Sequence, residues 1–196
     1  MANPGPAPVS EIVDQAVRAG IERRLAAGIP GAWLLAALAH APRQAAALEA
    51  ALTAVAEGGL LPPRLKLLVQ LQLSRRAGDR YFQAGLAGLL DRGHGLGTAA
   101  LDEILADYDE DSRLDDRERL ALRYAEQIYL DSSKIDDDFY TDLRGLFTEA
   151  EIIELASILA LCHGVYRVTA ALGVSAGADA ELRTPLRSPS LSHPPT

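Results

Sequence analysis

The chain has 196 residues, a formal net charge of −8, 48% hydrophobic residues and 5% aromatics. That length supports one domain with a full core, and a composition rich in Ala and Leu but poor in β-branched residues favours helices. The negative balance argues against a nucleic-acid groove and against an anionic membrane surface, while the single Cys162 excludes an internal disulfide and a Cys-based zinc site.

In chain order, residues 1–8 are Pro/Gly-rich and are expected to be loose, and the start "MANPGPAPVSEIV" lacks the basic opening and apolar run of a signal peptide. Ser10 is a candidate cap for a helix running to about Ala27. Pro30 opens a short helix through His40, and Pro42 opens another to about Glu57. "EGGLLPP" reads as a turn, with Pro62 and Pro63 suited to the first turn of the next helix. That helix places Leu65, Leu68, Val69 and Leu71 or Leu73 at helical spacing. Ala77-Gly78 breaks it, and Asp79 caps a following helix to Asp91. "RGHGLG" is a second break, followed by a short helix over 98–107 and the acidic loop "DYDEDS".

Asp115 with Glu118 forms an acidic variant of a capping box before "DDRERLALRYAEQIY". The acidic run at 136–138 reads as a solvated helix start. Thr148 with Glu151 makes a true capping box before an apolar helix over 149–172, which Gly173 ends. The run from Ile152 to Leu172 contains Glu154, His163 and Arg167, so it reads as a buried helix and not a membrane span. No strand-like alternation or short-period repeat is present. The expected organisation is a loose N-terminus (1–8), one all-α domain (9–174) and a disordered Pro/Ser-rich tail (175–196). The expected location is the cytoplasm.

The pieces "LLAALAHAP", "LLPPRLKLLVQLQLSRRAGDRYFQAGL", "DRERLALRYAEQIY" and "FTEAEIIELASILALCHGVYRVTAALGV", in that order, resemble the carboxymuconolactone decarboxylase and alkylhydroperoxidase D superfamily. The resemblance covers roughly Ile29 to Val174 and implies a helical bundle of that type, assembled as a homo-oligomer, either trimer or hexamer. The Ala-rich helices over 31–56 would supply its packing faces. Peroxidase members carry a glutamate on one helix and Cys-x-x-Cys-x-x-x-His at the start of the next. Those positions fall here on Leu67, Asp79, Phe82 and Leu86. With no thiol pair, dithiol peroxide reduction is chemically impossible at this site, and the decarboxylase branch's proton-handling residues are missing at Leu67 and Leu86 as well.

Two residues remain as acid/base candidates. Asp79 is an ionisable group at a former redox position, although a plain helix N-cap explains it too. His163, in "ALCHGVYR", is of the residue type most often used as a general acid or base and stands one turn from Arg167, which could orient a substrate carboxylate or enolate. A structural polar network is the competing reading. Expected substrate contacts are Leu67, Tyr81, Phe82, Leu86, Cys162, Tyr166 and Arg167. Tyr166 ranks lower because it points about 100° from Arg167 on an ideal helix. Arg64, Arg75, Arg76 and Arg80 read as a solvated basic face, with an anion clamp as the weaker alternative. No residues stand at metal-ligand spacing, so neither a metal nor a cofactor is expected.

The function expected from these residues is a cofactor-independent, non-redox enzyme: a decarboxylase, isomerase or cyclase acting on a small, mainly apolar organic molecule. Specialised metabolism is a fitting context. The alternative is a binding or scaffold oligomer without chemistry, and a thiol hydroperoxidase ranks last.

Overall fold

The computed structural model describes residues 6–9 and 12–182. They form ten α-helices and one short 3-10 turn, with no strand among the described residues. The helices are α1 (Gln15–Ala27), α2 (Ala32–Leu38), α3 (Pro42–Glu57), α4 (Pro63–Ala77), α5 (Arg80–His94), α6 (Thr98–Ala106), α7 (Asp116–Leu130), α8 (Asp137–Leu146), α9 (Glu149–Ala171) and α10 (Ala178–Glu181). The all-α expectation therefore holds.

The central helix is α4, which packs against α5, α7 and α9. Its sequence explains that position. In "LKLLVQLQLS", Leu65, Leu68, Val69, Leu71 and Leu73 are all buried, and so are Lys66, Gln72 and Ser74. A helix apolar over most of its circumference is stable only when neighbours cover it on several sides. Each fully buried leucine contributes about 1.5–3 kcal/mol. A second, smaller core joins α1, α2 and α3 through Val17, Ile21, Leu35, Ala36 and Ala45.

Local signals set the helix ends. Asp79 accepts from the backbone N–H groups of Tyr81 and Phe82 and caps α5. Both boxes form as read: Asp115/Glu118 opens α7 and Thr148/Glu151 opens α9. Asp136 caps α8, so the acidic run at 136–138 does start a helix. At the N-terminal end the cap of α1 is Asp14, which accepts from Ala16 and Val17. The expected cap, Ser10, lies outside the described residues.

Two expectations change. The domain was expected to end at 174, yet α10 packs back onto it. Ala178 is buried, and Asp179 accepts from the Trp33 amide at 2.7 Å and from the Tyr81 hydroxyl at 2.6 Å. The acceptor that makes this docking possible is a single carboxylate in an unremarkable sequence, which is why composition alone missed it. Residues 183–196 of the expected tail lie outside the described residues. The second change concerns assembly surfaces. Residues Ala32 to Ala37 of α2 are all buried within the chain, so α2 offers no face to another copy. Of the Ala-rich stretch, only α3 exposes alanines, at Ala47, Ala50, Ala54 and Ala56.

Candidate functional site

A cavity of about 210 Å³ opens between α1, α3, α4, α5 and α9. Its apolar floor is Phe82, Leu86 and the ring of Tyr166, all buried, with Leu52 and Leu67 beside them. The rim is Ala56, Glu57 and Pro63, which are exposed, so the entrance lies where α3 ends and α4 begins. Leu67, Phe82 and Leu86 are three of the four positions where the resembling peroxidases carry their glutamate, second thiol and histidine. The frame therefore encloses a cavity, and its walls have become apolar.

Phe82 shapes the floor by ring contacts on two sides. Its centroid lies 5.0 Å from Tyr81 in an edge-on arrangement and 4.7 Å from Tyr166. The hydroxyl of Tyr166 donates to Gln70 Oε1 at 3.1 Å, and the Cys162 thiol points at the same oxygen from 3.7 Å. Gln70 in turn donates from Nε2 to the Lys66 carbonyl at 3.1 Å. Burial keeps the Tyr166 hydroxyl protonated, with its pKa well above the ordinary tyrosine value. Burial also pushes the Cys162 thiol up to about 12, so it is neither a thiolate nor a ready nucleophile at neutral pH.

Three further polar residues reach the wall, none of them singled out from the sequence. Lys66 and Arg24 are both buried, whereas Glu57 sits exposed at the rim. Lys66 Nζ donates to the Gly58 carbonyl at 2.5 Å and stands 3.8 Å from Glu154. Arg24 Nε donates to Glu49 at 2.7 Å and Nη1 to the Pro30 carbonyl at 2.9 Å. The signal for Lys66 and Gln70 was present in the sequence. They are four residues apart on one stripe of a helix whose middle is rich in leucine, and polar groups on a buried stripe need a reason. Nothing local in "GIERRLAAG" separates the buried Arg24 from the half-exposed Arg23.

The sequence candidates divide into three groups. Leu67, Phe82, Leu86 and Tyr166 line the cavity. Asp79, Cys162 and Tyr81 are buried but are not part of its wall. Asp79 is engaged by its capping bonds and by the Thr169 hydroxyl, and burial raises its pKa against the pull of those donors. Tyr81 lines a neighbouring pocket of about 110 Å³ with Arg24 and Asp179.

His163 and Arg167 form the third group, away from the cavity. The His163 ring packs against Tyr129 at 5.3 Å, and Arg167 lies over the same tyrosine ring at 5.5 Å while donating to its hydroxyl at 3.3 Å. The order of preference within "CHGVYR" is thus reversed by the structure. Tyr166 and Cys162 face inward, and the 100° step to the next residue turns His163 and Arg167 toward Tyr129 instead. In the basic concentration Arg64, Arg75 and Arg76 pair with Glu118, Asp102 and Glu126, while Arg80 is exposed and makes no ion pair among the described residues. Among the described residues no group of three His, Cys, Asp or Glu side chains is arranged to hold a metal ion.

The fold has clear structural counterparts. The chain superposes on the debrominase Bmp8 in its apo form with a TM-score of 0.75, at 18% identity, covering 91% of this chain and 96% of that one. A variant of the same debrominase in complex with 2,3,4-tribromopyrrole gives a TM-score of 0.72 at 20% identity, with 90% and 94% covered. A peroxidase-related protein with an alkylhydroperoxidase D core, from Ralstonia eutropha JMP134, gives 0.72 at 22% identity, with 86% and 88% covered. The architecture is thus that of the carboxymuconolactone decarboxylase and alkylhydroperoxidase D type, as the sequence resemblance implies. No family model and no curated protein matches the chain.

Proposed function

We propose that the chain is a cofactor-independent, non-redox enzyme that acts on a small, mainly apolar organic molecule held in the α1/α3/α4/α5/α9 cavity. The observation that carries this reading is the cavity itself: a space of about 210 Å³, walled by Leu67, Phe82 and Leu86 and retaining a few converging polar groups. A cavity of roughly 150 Å³ takes a benzene molecule, so this one suits a single substituted ring or a short branched chain. The debrominase complex, with its one-ring ligand in a protein of the same fold, supports that size class. The debromination itself is not carried over with the fold.

Decarboxylation, isomerisation and cyclisation fit such a site, because each needs a held conformation and a proton at one atom. We take Lys66 and Tyr166, both in the cavity lining, as the candidates to supply it. Asp79 and His163, the pair favoured from the sequence, stand outside the cavity wall and would act only through other residues. The second reading is a binding protein without chemistry. It is favoured by the engagement of Gln70, whose carbonyl accepts from Tyr166 and faces Cys162 while one of its two amide N–H groups goes to the Lys66 carbonyl.

The test is to incubate the purified chain with one-ring lactones, cyclic enones and carboxylic acids and to follow them by proton NMR. Turnover without thiol consumption that is lost in Leu86→Trp, which fills the cavity, supports the enzyme. Molecules that bind the wild type and not Leu86→Trp, and are recovered unchanged, support the binding protein. Neither binding nor turnover by any member of the set overturns both.

A further inference from the structure

We propose that Arg24 and Lys66 form an anion-binding subsite in the cavity wall, so that the ligand is a small apolar body carrying one anionic oxygen group. The proposal rests on the cavity being the ligand site, as argued above, and adds the charge that the apolar lining does not reveal.

Two buried cations on one cavity of this size are unusual, because a buried charge is tolerated only with partners. The partners here are incomplete. The Arg24 side chain is 6% exposed and the Lys66 side chain 5%. A guanidinium has five N–H donors and an ammonium three. On Arg24, Nε and Nη1 are engaged, by Glu49 and the Pro30 carbonyl, and Nη2 has no hydrogen-bond partner among the described residues. On Lys66, one N–H goes to Gly58, and the nearest carboxylate oxygen, on Glu154, is 3.8 Å away. The other oxygen of that carboxylate, Oε2, accepts from the amides of Leu60 at 2.5 Å and Leu61 at 3.3 Å.

The compensating acids stand behind the wall and not in it. Glu49 is shared between Arg24 and Arg23, and neither Glu49 nor Glu154 lines the cavity. The lining carboxylate is Glu57, which is exposed at the rim, 3.7 Å from Arg23. Arg24 and Lys66 thus share the lining with Phe82 and Leu86, each keeps N–H donors without a hydrogen-bond partner among the described residues, and the lining holds no carboxylate besides the exposed Glu57. A planar carboxylate or an enolate oxygen satisfies them, and a guanidinium edge matches a carboxylate in geometry as well as in charge. The Arg167 role anticipated from the sequence, orienting such a group, passes to Arg24.

The test uses benzoate and its neutral isostere benzamide, titrated into the full chain by calorimetry at pH 7. Charge-assisted hydrogen bonds predict that benzoate binds at least about tenfold more tightly. The advantage should fall to less than about threefold in Lys66→Met and in Arg24→Gln, and both molecules should lose binding in Leu86→Trp. Arg24→Gln leaves Glu49 facing only Arg23 and could unfold. Lys66→Met and the benzoate-to-benzamide ratio in the wild type decide the matter without it. Equal affinities overturn the subsite and leave the apolar cavity standing. Benzoate binding that survives Leu86→Trp places the anion elsewhere and also overturns the subsite. Absence of binding by both molecules overturns the cavity as a ligand site and the subsite with it.

Discussion

The hydroxyl of Thr169 on α9 donates to the carboxylate of Asp79, whose other oxygen caps α5 through Tyr81 and Phe82. One buried side chain therefore fixes the start of the helix that carries Phe82 and Leu86 and also ties it to α9. Removing it with Asp79→Ala strips two buried amides of their acceptor and should cost about 2 kcal/mol or more. Thr169 keeps a partner in the Val165 carbonyl, which limits the loss. Urea denaturation of the wild type and the variant measures it, and a difference below about 0.5 kcal/mol would return Asp79 to an ordinary surface-type cap.

The same residue predicts a pH dependence. Burial, the largest influence, raises the Asp79 pKa above the ordinary carboxylate value of 3.8, and the three hydrogen bonds pull it back only partly. The folded state therefore holds this proton more tightly than the unfolded chain. Its contribution is fully present below the unfolded pKa and is lost as pH rises through the folded one. Asp79→Asn, which keeps a capping oxygen and carries no charge, should compare better with the wild type at pH 7 than at pH 4. Melting temperatures of both proteins at the two pH values check the sign, and a gap that moves the other way would show that the cap bonds outweigh burial.

Much of this was legible in the sequence because local chemistry dictated it. Pro42, Pro63, Asp79, Asp115 and Thr148 start their helices as read, since a cap or a proline at the first turn acts over three or four residues. The apolar wall at Leu67, Phe82 and Leu86 was legible through the spacing of a known frame. The polar wall was not. Arg24 reaches the cavity from α1, and its burial depends on Glu49 twenty-five residues away, a long-range pairing that no local pattern encodes. Asp179 docks α10 onto Trp33 and Tyr81 for the same kind of reason. His163 and Arg167 lie against Tyr129 and not on the cavity because packing of α9 against α4 sets which face of α9 turns inward, and local sequence does not fix that.

Gln72 offers a prediction about stability alone. It is 3% exposed, and both its amide oxygen and its amide nitrogen lack hydrogen-bond partners among the described residues. An unsatisfied buried polar group costs about 1–3 kcal/mol. Gln72→Met keeps the length and removes the amide, so it should stabilise the fold by about 1 kcal/mol, read as a higher urea midpoint at unchanged slope. A lower midpoint would mean that the amide has a partner in solution, such as an ordered water.

Redox inertness follows from the lone thiol. Cys162 is 1% exposed and its pKa is pushed up to about 12, so it should react with a disulfide reagent only as the chain unfolds. The chain should show no dithiol-dependent peroxidase activity, and Cys162→Ser should leave its thiol-peroxidase background unchanged. Peroxide consumption coupled to a thiol reductant in the Ser variant would contradict the apolar reading of the Asp79–Phe82–Leu86 frame.

The last prediction concerns assembly through α9. Ile153, Ser157, Ala160, Gly164, Val168 and Ala171 are exposed along one face of that helix, with Ile153 at 65% and Val168 at 50%. Small residues between two larger apolar ones permit close helix approach, and an apolar stripe on the longest helix is costly to leave in water. A second copy of the chain is the partner we expect there, in keeping with the oligomer implied by the sequence resemblance. Light scattering at micromolar concentration should report a multiple of the single-chain mass. Ile153→Glu combined with Val168→Glu should reduce it to one chain with the helical circular dichroism intact, because both side chains already lie outside the core. An unchanged mass in the double variant would move the interface to another surface, with the exposed alanines of α3 next in line. A wild type that runs as a single chain would refute the oligomer altogether.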